Sequence, residues 1–232
     1  MTAPTDSAPP RTLPRFSRGE RVAHWTLAAL MILSILTAAV LYNGSLALLV
    51  GHRHAVELAH VVSGFALPVP LVAGLVSRAF RADLTRLNRF TRSDWDWLRT
   101  RSRRDGAIRV GKFNAGQKLN AALTAGSITV LLGTGVLMYF TGLVRLSWRT
   151  GATFAHDWFA LGLGLLVLGH IYFALMDYEA RRGMRTGRVS TRWARAEHAA
   201  WVDELMPAPD TPPDVGTPAH RDSRDTDPPS AR

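Results

Sequence analysis

The sequence contains no cysteine, which excludes disulfide bonds, cysteine-ligated iron–sulfur clusters and prosthetic groups attached through a Cys-X-X-Cys-His motif. Acidic residues are also scarce, since 18 Asp and Glu stand against 28 Lys and Arg, giving a net charge of +10. Such a surplus of positive charge is typical of proteins that meet nucleic acid, an anionic membrane surface or an acidic partner. Charge alone does not choose among these three.

The apolar residues form long runs. They make up 47% of the 232 residues, yet the mean hydropathy is only +0.02, so they must be clustered. Four runs are long enough for helices that cross a bilayer, at residues 22–42, 55–76, 119–140 and 154–176. The sequence therefore predicts an all-α integral membrane protein, a bundle of four transmembrane helices. Pro68 and Pro70 interrupt the second run and predict a kink there.

The positive charges predict the orientation of this bundle. They concentrate before the first run, between the second and third, and after the fourth, whereas the other two loops hold only Arg53, Arg145 and Arg149. The positive-inside rule then puts both termini and the long middle loop in the cytoplasm, with the chain in a bacterial cell (inner) membrane. Because the Arg residues lie beside the apolar runs, a membrane surface is favoured over nucleic acid.

The same pattern divides the chain. We expect a flexible N-terminal tail at 1–14, a membrane domain at 15–205 and a disordered cytoplasmic tail at 206–232, which is rich in Pro, Asp and Thr. We expect no cleaved signal peptide, because the first apolar run is too long and lacks a clear cleavage site. Trp95 and Trp97 are expected at the membrane interface, beside the Arg-rich loop.

Four histidines lie within or at the edge of the spans, where histidine is costly and marks a functional site. The predicted topology puts His24 and His170 near the inner face and His60 and His156 near the outer face. His156 and His170 share one face of the fourth helix, about 21 Å apart along its axis. Two pairs of imidazoles at matched depths are suited to bis-histidine ligation of two non-covalent b-type haems.

Several alternatives remain open at this stage. A histidine in a span can be a hydrogen-bonded packing residue, and His54 competes with His60 for the outer site. His198 and His220 lie beyond the last span, and we expect both to be solvated. Small residues near the ligands suit either the approach of a flat macrocycle or close helix packing, namely Gly64, Gly162, Gly164 and Gly169.

Four stretches resemble the gamma subunit of membrane-bound formate dehydrogenase, a four-helix di-haem cytochrome b. These are RFSRGERVAHW at 15–25, GKFNAGQKLN at 111–120, AHDWFALGLGLLVLGHIYFA at 155–174 and GRVSTRWARAEHAAW at 187–201. The resemblance runs from about Arg15 to Leu205, and its NAGQK and GRVS segments are specific. The chain departs from the family in its Arg-rich middle loop, its acidic tail, and Ala199 and Ala200, where the family often has His-Pro.

The resemblance implies the histidine pairs that depth suggests, His24 with His170 and His60 with His156, each holding one haem b. It also implies a site for menaquinone or ubiquinone beside the inner haem, built from Asn114, Gly116, Gln117 and His170. From the residues alone, Asn114 could instead simply cap the third helix.

By the same resemblance, this chain is the quinone-reducing subunit of an enzyme complex. Formate is oxidised on a molybdenum or tungsten (alpha) subunit, and the electrons pass through an iron–sulfur (beta) subunit and the two haems to the quinone. An oligomer of such heterotrimers is left open. A cytochrome b of a nickel–iron hydrogenase or of another molybdoenzyme is the nearest alternative. A non-redox membrane transporter or scaffold is the alternative from another class, and it gives the paired histidines no role.

Overall fold

Four long apolar helices organise the chain in the computed structural model, which describes residues 10–100 and 108–207. In chain order the elements are β1 (Thr12–Pro14), α1 (Arg18–Tyr42), α2 (Gly44–Val50), α3 (Arg53–Ala66), α4 (Pro68–Gly74), α5 (Arg78–Asn88), α6 (Arg92–Arg99), α7 (Ala115–Tyr139), α8 (Leu146–Met176), α9 (Tyr178–Thr186), β2 (Arg188–Ser190), α10 (Thr191–Glu197) and α11 (Ala199–Leu205). Four stretches are long and apolar enough to cross a bilayer: α1, α3 with α4, α7, and α8. The prediction of a mostly helical protein with four candidate spans is confirmed.

Proline divides the second span. Helix α3 ends at Ala66 and α4 begins at Pro68, so the expected kink takes the form of a break at Leu67. Pro68 and Pro70 have no backbone N–H for the hydrogen bonds that would join α4 to the last turn of α3, so the two helices are separated at Leu67 and both prolines lie in the first turn of α4. Helix α8, in contrast, is longer than the sequence predicts. It begins at Leu146, well before the apolar run at 154–176.

The spans bury few of their residues against one another. A single interior cluster joins them, made of Met31, Leu67, Ile128 and Leu163. Leu163 lies seven residues from His156 and seven from His170, so this apolar layer sits midway between the two histidine depths. Large apolar side chains elsewhere on the spans are exposed, as at Phe173, and exposed apolar surface of this extent is suited to lipid.

The first and last described segments of the chain meet at one end of the bundle, in a part that we call the base. It comprises β1, β2, α5, α6, α9, α10, α11 and residues 108–114. Strand β1 pairs antiparallel with β2, with Leu13 opposite Val189. An apolar core of the base packs beneath this pairing, formed by Leu13, Val189, Ala194, Trp201 and Val202. The first and last spans are therefore tied together at the end of the bundle where the chain enters and leaves it.

The predicted N-terminal tail, 1–14, reaches into the described residues. Residues 12–14 form β1 because their backbone pairs with β2 and the side chain of Leu13 is buried in the base. The rest of the two predicted tails, residues 1–9 and 208–232, lies outside the described residues. The middle loop, whose periodicity is weak, contains α5 and α6.

His198 is buried, so the expectation that it would be solvated is wrong. Its Nδ1 donates to the carbonyl of Gly111 at 2.7 Å, and its ring stacks against Trp193 with centroids 4.9 Å apart. Burial, and secondly the charge of Arg15, lower the pKa of His198 to about 3, so it is neutral at physiological pH. This hydrogen bond joins the end of the chain to the segment before α7. His220 lies outside the described residues.

Candidate functional site

The four span histidines come together in two pairs. The ring centroids of His24 and His170 are 6.2 Å apart, and their planes are inclined at 62°. The ring centroids of His60 and His156 are 6.3 Å apart, with planes inclined at 68°. The first pair joins α1 to α8 near the base, and the second joins α3 to α8 at the far end. Both pairings agree with those predicted from depth.

This spacing fits one metal ion between the two imidazoles of each pair. A metal–nitrogen bond to histidine is about 2 Å long, so two rings on opposite sides of one ion have centroids roughly 6 Å apart. Within the described residues no group of three or more His, Asp or Glu could hold a metal ion. Each position therefore offers two histidines, a set that suits haem iron because the porphyrin supplies the other four nitrogens.

The far pair is oriented by hydrogen bonds through Nδ1. His60 Nδ1 lies 3.0 Å from the Thr37 hydroxyl and 3.1 Å from the Ser34 carbonyl. His156 Nδ1 lies 2.9 Å from the Thr134 hydroxyl. These contacts leave Nε2 of each ring without a hydrogen bond to the described residues. A ring held in this way presents Nε2 as the metal-binding nitrogen.

His54, the competing residue, stands apart from the far pair. It lies in the first turn of α3 and is exposed, whereas the half-buried His60 makes the ring contact with His156. His54 and His60 are six residues apart in α3, so they are separated by about 9 Å along the helix axis. The geometry favours His60 as the partner of His156.

The glycines of the spans border open space. A Cβ built on Gly64, Gly162, Gly164 or Gly169 meets no heavy atom within 4 Å. Close helix–helix packing therefore does not account for these four glycines within the described residues. At Gly135 a Cβ would lie 3.7 Å from His156 Cε1, so this glycine lets α7 come close to the far pair.

The predicted quinone segment forms the start of α7. Asn114 caps the helix: its side-chain oxygen accepts from Gln117 N at 2.9 Å, while Gln117 Oε1 accepts from Asn114 N at 3.0 Å. Each side chain thus uses its oxygen, and neither NH₂ group has a hydrogen-bond partner among the described residues. Gly116 packs against Trp97, whose ring a Cβ would approach to 3.1 Å. The side-chain oxygens of Asn114 and Gln117 therefore cap the helix, while their NH₂ groups remain available as donors.

Two buried lysines fix this segment to the base. Lys112 pairs with Asp83 of α5, and its Nζ lies 3.8 Å from Glu20 Oε1. Lys118 Nζ lies 2.6 Å from Asp94 Oδ2 and donates to the Arg89 carbonyl at 2.9 Å. Buried ion pairs of this kind fix the position of a segment even where they add little net stability.

The acids of these pairs respond differently to their surroundings. Burial raises the pKa of Asp83 to about 6, helped by neighbouring Glu20 and opposed by Lys112. At Asp94 burial also opposes ionisation, but hydrogen bonds from Lys118 and Thr91 outweigh it and lower its pKa. Arg15 is a base, so burial lowers its pKa, to about 10, which leaves the guanidinium charged. This guanidinium donates to the Lys112 carbonyl at 2.8 Å and stacks on the Trp193 ring.

His170 belongs to the same end of the bundle as the start of α7. It lies six residues before the end of α8, and Gln117 lies in the first turn of α7. Helices α7 and α8 are joined by residues 140–145 and pack side by side, so both positions are within about 10 Å of the base along the axis. No hydrogen bond joins His170 to Asn114 or Gln117 among the described residues.

The hydroxyl partners of the far histidines were missed by sequence reasoning. Thr37 and Thr134 look like ordinary small polar residues of a span, and only their packing against His60 and His156 distinguishes them. One signal was present, because each threonine precedes its histidine by almost the same distance, 23 and 22 residues. That spacing gains meaning only when neighbouring spans are known to be antiparallel.

Four apolar spans with two facing histidine pairs define the class of protein: a multi-pass membrane cytochrome of the b type. The comparison with known families agrees. Residues 15–187 match the prokaryotic cytochrome b561 family, and the chain belongs to it. Membership of this family implies haem b as the cofactor.

The individual relatives have names that specify one enzyme complex within this family. The chain is 36% identical over 104 residues to the cytochrome b556(Fdn) subunit of the nitrate-inducible formate dehydrogenase of Escherichia coli K12. That match covers 43% of this chain and 47% of the relative, so the chain spans about half the length of the relative in this alignment. A second subunit from the same strain, cytochrome b556(fdo) of formate dehydrogenase, is 25% identical over 200 residues, covering 84% of this chain and 93% of the relative. The formate dehydrogenase cytochrome b556 subunit of Haemophilus influenzae is 33% identical over 97 residues, 40% of this chain and 41% of the relative.

Proposed function

We propose that this chain is the cytochrome b subunit of a respiratory formate dehydrogenase in a bacterial cell membrane. The two histidine pairs carry the proposal, because each has the ring spacing that one haem iron requires. The names of the similar proteins supply the particular complex. The positive charges of the base support an orientation with both termini in the cytoplasm.

In this proposal His24 and His170 hold one haem b near the cytoplasmic face, and His60 and His156 hold a second near the outer face. Bound haem b supplies a one-electron carrier at each pair, so electrons can pass between the two faces of the membrane. The protein contributes the imidazoles, the apolar layer of Met31 and Leu163 between them, and the lipid-facing surface. An iron–sulfur subunit docks at the outer face and delivers the electrons.

The reaction balances across the complex. One formate oxidised on the molybdenum or tungsten subunit yields carbon dioxide, one proton and two electrons. One quinone bound beside the inner pair takes up those two electrons and two cytoplasmic protons to become quinol. The free amide groups of Asn114 and Gln117 are hydrogen-bond donors for the quinone carbonyls, and Gly116 lies between them, where its lack of a side chain admits the Trp97 ring. Electrons move inward and protons are consumed inside, which contributes to the proton-motive force.

Haem quantitation tests the histidine pairs. The purified chain should give two haems b by the pyridine haemochrome spectrum, and His156→Ala or His24→Ala should each leave one. His52→Ala and His54→Ala are matched controls in the same protein and should leave two. A wild-type chain without haem, prepared from membranes with ample haem, would contradict the proposal, as would loss of haem from His54→Ala but not from His60→Ala.

The quinone segment needs variants that keep the helix cap. Serine caps as well as asparagine does but has no amide donor. Asn114→Ser should therefore keep two haems and an unchanged thermal midpoint while it weakens binding of a quinone-analogue inhibitor. Unchanged inhibitor affinity would contradict the assignment of Asn114.

Metal analysis of the intact complex, isolated through a tag on this chain, tests the partners. Molybdenum or tungsten with non-haem iron is expected. Nickel would place the chain with a hydrogenase instead.

A further inference from the structure

The two histidine pairs differ in what lies behind their rings. Each ring of the far pair has a threonine hydroxyl within hydrogen-bond distance of Nδ1: Thr37 of α1 behind His60, and Thr134 of α7 behind His156. In both cases the threonine is on the span that precedes the histidine in the chain. The arrangement is thus repeated on the two halves of the bundle.

The direction of these hydrogen bonds follows from the threonines. A hydroxyl has one hydrogen, and Thr134 directs its own toward the Val130 carbonyl at 2.8 Å, one turn back on α7. Thr37 similarly donates to the Leu33 carbonyl at 2.7 Å. Each hydroxyl oxygen is then an acceptor for the imidazole, so the histidine hydrogen is on Nδ1. Nε2 is left with its lone pair free.

The near pair lacks this support. Among the described residues neither His24 nor His170 makes a side-chain hydrogen bond, and His24 has an edge contact with the Trp25 ring at 5.4 Å. The indole N–H of Trp25 is directed elsewhere, to the Met184 carbonyl at 3.3 Å. Neither ring of the near pair is therefore held by a hydroxyl or carbonyl acceptor among the described residues.

This asymmetry has an electronic consequence for a ligated iron. An imidazole that donates from Nδ1 gains negative character and becomes a stronger ligand through Nε2. The stronger ligand stabilises ferric over ferrous iron, which lowers the reduction potential. We propose that Thr37 and Thr134 are positioning residues that hold the haem at His60 and His156 at a lower potential than the haem at His24 and His170. This inference rests on the proposed ligation, and it deepens it, since a lower outer potential drives electrons inward.

The two threonines are matched in this proposal, because each histidine also has a backbone acceptor. His60 has the Ser34 carbonyl at 3.1 Å, which remains if the Thr37 hydroxyl is removed. His156 likewise has a backbone hydrogen bond at Leu131 besides the Thr134 hydroxyl. Loss of either threonine should therefore weaken the hydrogen bonding of Nδ1 without abolishing it.

A potentiometric titration of the full chain, followed at the haem absorbance bands, tests this. The wild type should give two one-electron steps, and His170→Ala, which keeps only the outer pair, identifies the outer step. Thr134→Val, which has the same shape without a hydroxyl, should raise the potential of the outer step and leave the inner step unchanged. Thr37→Val should raise the outer step by a similar amount.

Two variants control for packing. Thr134→Ser keeps the acceptor and should retain the wild-type potentials. Thr129→Val removes an exposed hydroxyl of the same helix, which bonds only to the Ala125 carbonyl, and should change neither step. An unmoved outer step in Thr134→Val, equal movement of both steps, or a Thr134→Ser potential equal to that of Thr134→Val would each overturn the inference. Absence of two haems from the wild type would instead overturn the proposed function, before any threonine variant is measured.

Discussion

The bundle and the base are stabilised in opposite ways. The bundle exposes large apolar side chains, such as Leu165 and Phe173, and its described residues bury one apolar cluster, around Leu163. The base buries charged side chains, among them Arg15 and Lys112, and pairs them within the chain or stacks them on aromatic rings.

The difference shows which part of the molecule depends on its surroundings. The apolar core and the buried ion pairs of the base are formed within the polypeptide. The bundle has ring pairs that face each other at ligation distance and glycines that border open space, so lipid and a cofactor contribute to its stability. The base therefore fixes the ends of α1, α7 and α8, and the bundle provides the site. Changes to the base should alter stability, and changes to the bundle should alter cofactor binding.

The largest effect on stability should come from breaking a buried ion pair where the base joins the bundle. Lys118→Met leaves Asp94 buried with one fewer charged partner, which should lower the free energy of unfolding by about 3–5 kcal/mol. Chemical unfolding of the detergent-solubilised chain, followed by tryptophan fluorescence, measures it. Arg182→Met, which breaks a more exposed pair with Glu179 on α9, is the matched control and should cost at most about 1 kcal/mol. Equal losses in the two variants would show that burial of the pair does not matter.

A smaller effect should follow from a methyl group at Gly187, the residue that ends α9. Gly187 has φ +82°, and a Cβ there would lie 2.5 Å from the Phe16 carbonyl oxygen. Gly51 at the far end of the bundle has φ +70° but open space around it. Gly51→Ala should therefore cost about 1 kcal/mol from backbone strain alone, whereas Gly187→Ala should cost about 2–3 kcal/mol, because the backbone must also shift. Similar thermal midpoints for both variants would contradict the close packing of the base.

The bundle was far more predictable from the sequence than the base. A run of twenty apolar residues can cross a bilayer only as a helix, so the four spans follow from hydropathy. The depths of the span histidines then follow from the topology, for His24, His60, His156 and His170. The break at Leu67 follows from Pro68 and Pro70. Local chemistry and the bilayer fix these features with little help from distant contacts.

The base depends on contacts between residues far apart in the chain. Arg15 and Lys112 contribute to the positive charge that predicts orientation, yet the structure buries both, and Lys112 pairs with Asp83 29 residues away. His198 was expected in water because nothing near it in sequence shows that Gly111 and Trp193 surround it. Thr37 and Thr134 were missed for the same reason. Tertiary partners, which periodicity does not reveal, decided these positions.

The smallest effect should be the pH dependence of the base, because two buried groups oppose each other. His198 has a pKa of about 3 in the folded chain, against 6.5 for an ordinary histidine. The unfolded chain then binds more protons, so its contribution to stability is lost as the pH falls from 6.5. Asp83 has a folded pKa of about 6, against an ordinary value of 3.8, so the folded chain binds more protons and stability is lost as the pH rises toward 6. Between pH 3.8 and 6 the two slopes have opposite signs, and these two groups together should give a nearly level profile.

Single variants should expose each slope. His198→Asn keeps a donor for the Gly111 carbonyl but cannot titrate, so its thermal midpoint should fall as the pH rises from 4 to 6. Asp83→Asn should show the reverse, with a midpoint that rises over the same range; each change corresponds to about 3 kcal/mol across these two pH units. His52→Asn, at an exposed histidine outside the base, should leave the wild-type profile unchanged. If both base variants gave profiles parallel to the wild type, the buried charges of the base would not be what sets its pH dependence. Profiles of opposite slope would show that the base balances an acid-sensitive group, His198, against an alkali-sensitive one, Asp83. The central layer of the bundle is made of apolar residues among those described, and it has no such pair of titratable groups.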